Sequence, residues 1–182
     1  LNVRLRLRSE LPSILKSFNA SGLMVTHDPE EAMAICDEVA VMNNGHIHQI
    51  DKPSKLINNP KTLFVSKFIL GNNILDITYS EGNLISVLGT IRADNIPINS
   101  EVKYLSIPPK SISIKKSKDG NATITSKEFL GEYYIYKVAI GGTFIRVKCD
   151  LNNNFEIGEK CILELSKKKE YFVFPGGFKN II

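Results

Sequence analysis

A polar segment that directly follows an apolar run contains the residues of this chain best suited to bind a ligand or take part in a reaction. Residues 22–26, Gly-Leu-Met-Val-Thr, are mostly apolar, and His27 and Asp28 come immediately after them. Asp28 can cap a helix, Pro29 suits the first helical position because it has no N–H to leave unpaired, and two glutamates then lie at the positive end of the helix dipole. The pattern predicts a strand-to-helix junction at His27, and ligands of open α/β sheets bind beyond the carboxyl ends of the strands.

The elements that would hold this junction are predicted from hydrophobic periodicity and turn residues. An apolar run after the breaker Asn-Ala-Ser-Gly is typical of a parallel strand that is covered on both faces. Helical spacing of apolar residues predicts an amphipathic helix over residues 3–18, with a kink or break at Pro12. Downstream, the sequence predicts a strand over residues 38–42, an Asn-Asn-Gly turn, a strand over residues 47–50, and helices over residues 53–57 and 62–70.

Length and composition indicate a folded protein without a membrane span. The chain has 182 residues, of which 43% are hydrophobic, and its formal net charge is +4, from 23 basic and 19 acidic residues. No apolar run approaches the ~20 residues that a spanning helix needs. The three cysteines are odd in number and lack C-x-x-C spacing, so we expect reduced thiols in the cytosol and neither a disulfide nor a structural zinc. Because the chain opens directly on helical periodicity without methionine, we expect it to be a fragment of a longer protein.

The second part of the chain has the sequence pattern of short β-strands. From about Gly71, short β-rich runs alternate with turn residues, and apolar and polar residues alternate on both sides of Gly141-Gly142, which predicts a β-hairpin. Repeated short strands favour a small barrel or sandwich. We therefore expect two domains, residues 1–70 and residues 71–182.

Residues 23–69 closely resemble the carboxyl-terminal end of the nucleotide-binding subunit of ABC importers, in the branch that serves ferric iron, polyamines and sugars. The matching motifs are Thr-His-Asp of a histidine switch, Glu-Glu-Ala, the Ala-Val-Met strand with its glycine turn, and Asn-Pro before Phe-Val-Ser-Lys-Phe-Ile. Residues 71–182 look like the TOBE-type regulatory domain of this branch, in which "KEFLGEYYIYKV" is similar to a common strand. The resemblance implies an α/β fragment of a P-loop NTPase (RecA-like) domain, followed by an all-β OB-like small barrel.

The resemblance also assigns roles to two residues. His27 corresponds to the switch histidine, which contacts the γ-phosphate of ATP and helps to orient the attacking water, so it is the candidate catalytic and nucleotide-binding residue. Phosphoryl transfer depends mostly on positioning and electrostatic stabilisation, so one imidazole can have a large effect. Asn2 lies where the family has the acidic residue of the loop that reaches the partner subunit's nucleotide. No metal-ligating residue is implied.

For the parent protein, the resemblance implies ATP and Mg²⁺ as cofactors and a homodimer formed through the β-rich domain. It also implies transmembrane permease subunits as partners and, indirectly, an external substrate-binding protein that delivers the substrate to them. It implies a cytoplasmic location, peripheral on the inner face of the membrane. Ferric iron is slightly preferred as the substrate, before polyamine and sugar. The sequence contains no G-x-x-x-x-G-K-[ST] loop, no Gly-rich signature and no apolar strand ending in Asp-Glu, so we expect the chain alone to need no cofactor and neither to bind ATP tightly nor to hydrolyse it.

Four other interpretations compete with this one. His46 and His48 share a strand face near Asp51, which could form a metal site but is more typical of a solvent-facing hairpin. The chain could be a stand-alone dimerising adaptor without ATPase activity. It could also be an unrelated enzyme that uses His27 with Asp28 or Asp37 as acid and base, although no activated nucleophile lies nearby. An oligonucleotide surface is disfavoured because no basic groove accompanies the aromatic residues Phe129, Tyr133, Tyr134, Tyr136, Phe144, Tyr171, Phe172 and Phe174.

Overall fold

The computed structural model describes residues 2–93, 102–166 and 171–176, and it describes side chains from Glu10 onward. The chain divides into two compact units, Leu1–Leu70 and Gly71–Ile182. Within the described residues, all four α-helices lie in the first unit and the second consists mainly of antiparallel strands. The molecule is therefore mostly β-sheet with few helices, and each unit has a core of its own.

The first unit is built from four helices and one hairpin. The elements are α1 (Asn2–Ser17), α2 (Pro29–Ile35), β1 (Val39–Asn43), β2 (His46–Asp51), α3 (Pro53–Asn58) and α4 (Leu63–Leu70). The predicted hairpin and its Asn-Asn-Gly turn are confirmed, with Asn44 at φ 48° and Gly45 at φ 76°, the pair of positive values that a type I′ turn requires. The predicted helices after the hairpin are also confirmed. A small core, formed by Val39, Val41, Leu56 and Val65, lies between the hairpin and these helices.

Two predictions about the first unit are wrong, namely a break of the first helix at Pro12 and a strand over residues 22–26. Helix α1 continues through Pro12 without a break, because proline removes one backbone donor while the neighbouring turns keep theirs. The helix ends at Ser17. Just beyond it, Asn19 has a φ of 49°, which lets the Ala20 N–H donate to the Leu15 carbonyl at 2.9 Å, as in a Schellman motif. Residues 22–26 form no strand in the described structure, and the only sheet of the first unit there is the antiparallel β1–β2 hairpin.

The second unit contains eleven described strands in three antiparallel sheets. The order β11-β10-β9-β12-β8 forms the largest sheet, and the orders β13-β7-β3 and β4-β5-β6 form the other two. The strands are β3 (Asn73–Asp76), β4 (Thr78–Ser80), β5 (Asn83–Ser86), β6 (Gly89–Arg92), β7 (Val102–Ile107), β8 (Ile112–Lys116), β9 (Ala122–Phe129), β10 (Tyr133–Ile140), β11 (Thr143–Asp150), β12 (Lys160–Leu165) and β13 (Phe172–Pro175).

The predicted high β-strand content of the second unit is confirmed. The predicted hairpin at Gly141-Gly142 is also confirmed, since Ile140 pairs with Thr143. No closed barrel is found among the described residues, because the hydrogen bonding of the five-stranded sheet ends at β11 and β8. At the edge of β11, the side chain of Asn73 forms two hydrogen bonds with the backbone of the strand. The Asn73 side chain accepts from the Arg146 N–H at 2.7 Å and donates to the Arg146 carbonyl at 2.8 Å, so an amide takes the place of a neighbouring strand at this residue.

Gly120 is a position where the second unit admits no side chain. A Cβ built on Gly120 would lie 2.2 Å from the carbonyl oxygen of Cys161 and 2.4 Å from its carbonyl carbon, both backbone atoms of β12. Backbone cannot rotate away as a side chain can, so β12 would have to shift. We expect Gly120→Ala to lower the free energy of unfolding by about 3 kcal/mol, the upper part of the overpacking range.

Urea unfolding followed by tyrosine fluorescence measures this effect, because all six tyrosines lie after residue 70 and so report on the second unit. Gly131→Ala is the matched control, since nothing lies within 4 Å of its Cβ position and only its φ of 80° opposes alanine. That backbone strain costs about 1 kcal/mol. Equal losses from both variants would contradict the steric argument.

Candidate functional site

The candidate site is the junction between the extended segment of residues 21–26 and helix α2. Asp28 caps the helix as predicted, accepting from the Glu30 N–H at 2.9 Å and the Glu31 N–H at 3.3 Å. Pro29 begins the helix. The Thr26 hydroxyl oxygen accepts from the Asp28 N–H at 3.0 Å and donates to the Glu31 carboxylate at 3.1 Å. The backbone on both sides of His27 is therefore fixed by hydrogen bonds.

The His27 side chain is exposed at this fixed point and lines a groove of the first unit. An exposed imidazole on a held backbone can donate one hydrogen bond to an anionic ligand without moving the chain. The role of Thr26 was missed from the sequence, because its bond spans five residues to Glu31 and does not follow the capping-box spacing of three.

Residues 22–26 are the main difference between the predicted and the described site. Leu23 is 97% exposed and Val25 is 92% exposed, whereas the pattern predicted a strand covered on both faces. A parallel strand is buried only when it has strands beside it and helices above and below it. The described part of the first unit offers no such strand to these residues, so their apolar side chains face solvent.

The other predicted binding position lies at the start of the chain. Asn2 begins helix α1, but its side chain lies outside the described part of the molecule, as does Leu1 altogether. The assignment of Asn2 to a partner-facing loop therefore stays a prediction.

The two histidines of β2, His46 and His48, were considered as metal ligands. His46 is exposed, whereas His48 is half-buried, with Nδ1 3.1 Å from the Thr62 hydroxyl and its ring 4.8 Å from that of Phe64. Among the described residues, no group of three or more His, Cys, Asp or Glu could hold a metal ion. His48 is thus engaged in packing, and Asp51 belongs to another network.

That network centres on the buried amide of Gln49. Its Nε2 donates to the Asp51 carboxylate and to the Asn59 carbonyl, each at 3.2 Å, and its Oε1 accepts from the Lys61 N–H at 2.9 Å. The hydrogen bond from Gln49 is the main cause that holds the pKa of Asp51 below its ordinary value of 3.8. Burial opposes this effect, and the ammonium groups of Lys55 and Lys61, at 3.6 and 3.7 Å, reinforce it.

The lowered pKa makes the first unit acid-sensitive in a defined window. A carboxyl whose folded pKa lies below its unfolded pKa stabilises the fold fully above the unfolded value and loses this effect as pH falls through the folded value. We expect Asp51→Asn to lower the melting temperature at pH 7, and the difference from the unmodified chain to shrink as pH falls below 3.8.

Far-UV circular dichroism at the helical band measures this, because the described α-helices all belong to the first unit. Asp37→Asn, at an exposed acidic residue of the same unit, is the control and should leave the melting temperature unchanged. A difference between Asp51→Asn and the unmodified chain that stayed constant from pH 7 to pH 2 would rule out the ionised carboxylate as its cause.

Two of the three cysteine thiols, Cys149 and Cys161, are buried and poorly suited to nucleophilic chemistry. Burial raises the pKa of the Cys149 thiol to about 11, with a further contribution from the Asp150 carboxylate, and burial also raises the pKa of Cys161. Both thiols are therefore protonated at neutral pH and unreactive as nucleophiles. The aromatic residues considered for nucleic acid are also divided, since Tyr136 and Phe174 are buried while Phe129 and Phe144 are exposed.

Comparison with known proteins shows which proteins this chain is similar to. The spermidine/putrescine import ATP-binding protein PotA of Mesoplasma florum is 37% identical over 142 residues, which are 74% of this chain and 41% of that protein. The protein of the same name from Borreliella afzelii is 36% identical over 138 residues, 74% of this chain and 40% of the relative. The chain is similar to the carboxyl-terminal part of ATP-binding subunits of ABC importers. No protein-family model matches it.

A third relative extends the similarity to most of the chain. The protein of the same name from Ureaplasma parvum is 32% identical over 163 residues, 86% of this chain and 31% of the relative. The chain spans about two fifths of the length of the first two relatives. The resemblance to an ABC importer subunit is confirmed at this level, and ferric iron finds no support in these relatives. No helix among the described residues is long and apolar enough to cross a membrane.

Proposed function

We propose that this chain is the carboxyl-terminal part of the ATP-binding subunit of an ABC importer for a polyamine. The observation that carries the proposal is the similarity of 142 residues, about three quarters of the chain, to a protein named for spermidine and putrescine import. Ferric iron, the substrate slightly preferred from the sequence, is replaced by polyamine for the same reason. In this proposal the first unit is the end of a P-loop NTPase domain, and the second is an OB-like, TOBE-type regulatory and dimerisation domain.

His27 is the residue through which the first unit would take part in ATP hydrolysis. Its imidazole is exposed, and the Thr26 and Asp28 hydrogen bonds hold its backbone in place. The γ-phosphate is an acceptor for such a donor, and a donor aimed at charge that develops during phosphoryl transfer lowers the barrier. In this proposal the chain contacts only the γ-phosphate of the nucleotide. Its sequence has no phosphate loop with the lysine and the serine or threonine that hold the other phosphates and Mg²⁺.

The partners of the whole protein follow from the same proposal. It would act on transmembrane permease subunits from the cytoplasmic face of the membrane, with an external binding protein that delivers the substrate. The second unit would form the homodimer contact. Light scattering of the 182-residue chain tests this last point, because a dimer whose mass does not change with ATP and Mg²⁺ agrees with it and a monomer at all concentrations contradicts it.

A chimera tests the proposed function directly. This chain would replace the matched region of the Mesoplasma florum protein, and the product would be purified with and without its permease partners. We expect the chimera to hydrolyse ATP and to restore spermidine uptake into vesicles, while the 182-residue chain alone does neither. A chimera that folds but hydrolyses no ATP would favour the alternative, a dimerising adaptor without ATPase activity.

A further inference from the structure

Three cations lie side by side on the outer face of strands β10 and β11, and together they form what we call the cationic face. Lys137 of β10 is paired directly with Arg146 of β11, and Lys148 follows Arg146 by two residues, so the three side chains share one face of the sheet. All three residues are exposed. Like charges directly opposite each other destabilise a pair of strands, so the arrangement costs stability in the free chain.

Lysines on other strands of the same sheet show how a cation is matched within this unit. Lys115 of β8 contacts the Glu164 carboxylate at 2.8 Å, and Lys127 of β9 contacts the Glu156 carboxylate at 3.5 Å. In the described part of the chain, the cations of the cationic face form no such ion pair. Their positive charge is therefore available to a ligand.

The two acidic residues described on this face of β9, β10 and β11 lie at one end of it. Asp150 is paired with Tyr133 at that end, and Glu128 of β9 is separated from Lys148 by the intervening strand β10. At Lys137 the neighbour on β9 is a serine and the neighbour on β11 is an arginine. The positive charge is therefore concentrated away from the Tyr133 end.

Two aromatic rings of this face are already covered by its lysines. The Lys137 ammonium lies 4.2 Å from the centre of the Phe144 ring, and the Lys148 ammonium lies 3.6 Å from the centre of the Tyr133 ring. A single-stranded nucleic acid would need these ring faces for base stacking. The cationic face therefore offers charge without a stacking surface, which suits an acidic polypeptide better than a nucleic acid.

The spacing of the cations sets the shape of the ligand. Arg146 and Lys148 are two residues apart on one strand, about 6.6–6.8 Å, and alternate side chains of an extended peptide have the same separation. A guanidinium can bind a carboxylate through two parallel hydrogen bonds, and an ammonium binds it as a point charge. We propose that the cationic face binds an extended acidic segment of a partner protein, with alternate carboxylates on Arg146 and Lys148 and with Lys137 beside them.

A second copy of this chain does not suit the cationic face. A two-fold contact places the same surface of each subunit against the other, so it would bring the two sets of cations together. The inference therefore concerns a surface separate from the proposed homodimer contact. It uses only the second unit, and neither ATP hydrolysis nor transport enters its argument.

Fluorescence anisotropy of a labelled peptide tests the proposal on the full 182-residue chain. The probe is a threonine-rich peptide with three glutamates at alternate positions, in about 50 mM salt, where exposed charges interact strongly. One control has the same composition with the glutamates three residues apart, so that successive carboxylates of the extended chain point to opposite faces. The other control has glutamine at each glutamate position.

We expect saturable binding of the alternating peptide below millimolar concentration and no binding of the glutamine peptide. The peptide with the glutamates three residues apart should bind about threefold more weakly, because it loses one carboxylate contact. Salt at about 500 mM should weaken the binding of the alternating peptide, since exposed charges are then screened.

Charge-removing variants locate the bound peptide. Arg146→Gln and Lys148→Gln should each weaken binding about threefold, the scale of one exposed ion pair, and the double variant about tenfold. Lys118→Gln, the same loss of charge at an exposed lysine in the turn between β8 and β9, should not change it. Arg146→Gln should leave the urea midpoint of the second unit unchanged or raise it, because it removes the like charge opposite Lys137.

Tighter binding of oligothymidine than of the alternating peptide would assign this face to nucleic acid and overturn the proposal. Equal losses from Lys118→Gln and Arg146→Gln would reduce the effect to net charge, and equal binding of the two glutamate peptides would exclude the alternate spacing. A lowered urea midpoint would assign Arg146 to the fold, and the absence of binding at millimolar concentration would refute the proposal outright. If the peptide binds as expected while the chimera hydrolyses no ATP, the proposed function fails and this inference stands.

Discussion

In the chimera with the Mesoplasma florum protein, His27→Ala is expected to lower kcat for ATP hydrolysis about 10²–10³-fold, the usual cost of removing one positioned donor from developing negative charge. The KM for ATP should change little, because in this proposal the remainder of the relative, which is named as an ATP-binding protein, supplies most of the nucleotide binding. The effect depends on an imidazole whose backbone is already fixed by the Thr26 and Asp28 hydrogen bonds. A steady-state phosphate-release assay at saturating Mg²⁺ and ATP measures it.

His46→Ala is the matched control. His46 is also an exposed histidine of the first unit, but it lies at the start of β2 and away from the junction. Its removal should leave kcat within a factor of about two, since surface substitutions without a specific partner have small effects. A His27→Ala chimera that keeps more than half of the original kcat would exclude the switch role of His27.

Asp28 affects the same site in another way. It touches no ligand in this proposal but accepts two hydrogen bonds from the first turn of α2. Asp28→Ala removes this cap at a cost of about 1 kcal/mol and loosens the junction. A positioning residue of this kind should reduce kcat less than His27→Ala does, and Asp28→Asn, which retains the accepting oxygen, should restore most of the rate.

Local chemistry explains which parts of the site could be predicted from the sequence. The cap at Asp28 and the turn at Asn44 and Gly45 depend on residues within four positions of each other, so their sequence signals are complete. The prediction from the apolar run of residues 22–26 was wrong, because a buried parallel strand depends on neighbouring strands that a local pattern does not contain. What it could not supply is the neighbouring strand itself, and the described first unit contains none beside it.

The second unit shows the same limit on a larger scale. Alternation predicted β10 and β11 and the glycines between them, because a hairpin is a local structure. The order of the five-stranded sheet depends on contacts such as β12 with β8, which join residues nearly 50 positions apart. Alternation of apolar and polar residues identifies a strand but does not identify the strand with which it pairs. The sequence could therefore predict strands without deciding whether they close into a barrel.

The largest stability effect is expected at Tyr136, the largest of the fully buried side chains. Its ring meets Phe155 edge-to-face at 5.4 Å, and its hydroxyl donates to the Asn153 carbonyl and accepts from the Phe155 N–H, each at 3.2 Å. One side chain thus fills the core and anchors the loop that follows β11. Tyr136→Ala removes both functions and should lower the free energy of unfolding by about 3–5 kcal/mol, as aromatic deletions in cores do.

Two variants separate the packing of Tyr136 from its hydrogen bonds. Tyr136→Phe retains the ring but leaves the buried Phe155 N–H without its acceptor, so it should cost about 1–3 kcal/mol. Phe144→Ala is the control for loss of an aromatic ring at the surface. Its ring is 56% exposed and contacts the Lys137 ammonium at 4.2 Å, which limits the loss to about 1 kcal/mol.

Urea unfolding followed by the remaining tyrosines reports these losses for the second unit alone, because residues 1–70 contain no tyrosine. A Tyr136→Phe variant as unstable as Tyr136→Ala would assign the whole effect to the hydroxyl, and one as stable as the unmodified chain would assign it to the ring. The intermediate value is expected because the two functions are supplied by different atoms. The ring packs in the core from β10, the strand between β9 and β11, whereas the hydroxyl bonds to a loop that has no strand pairing.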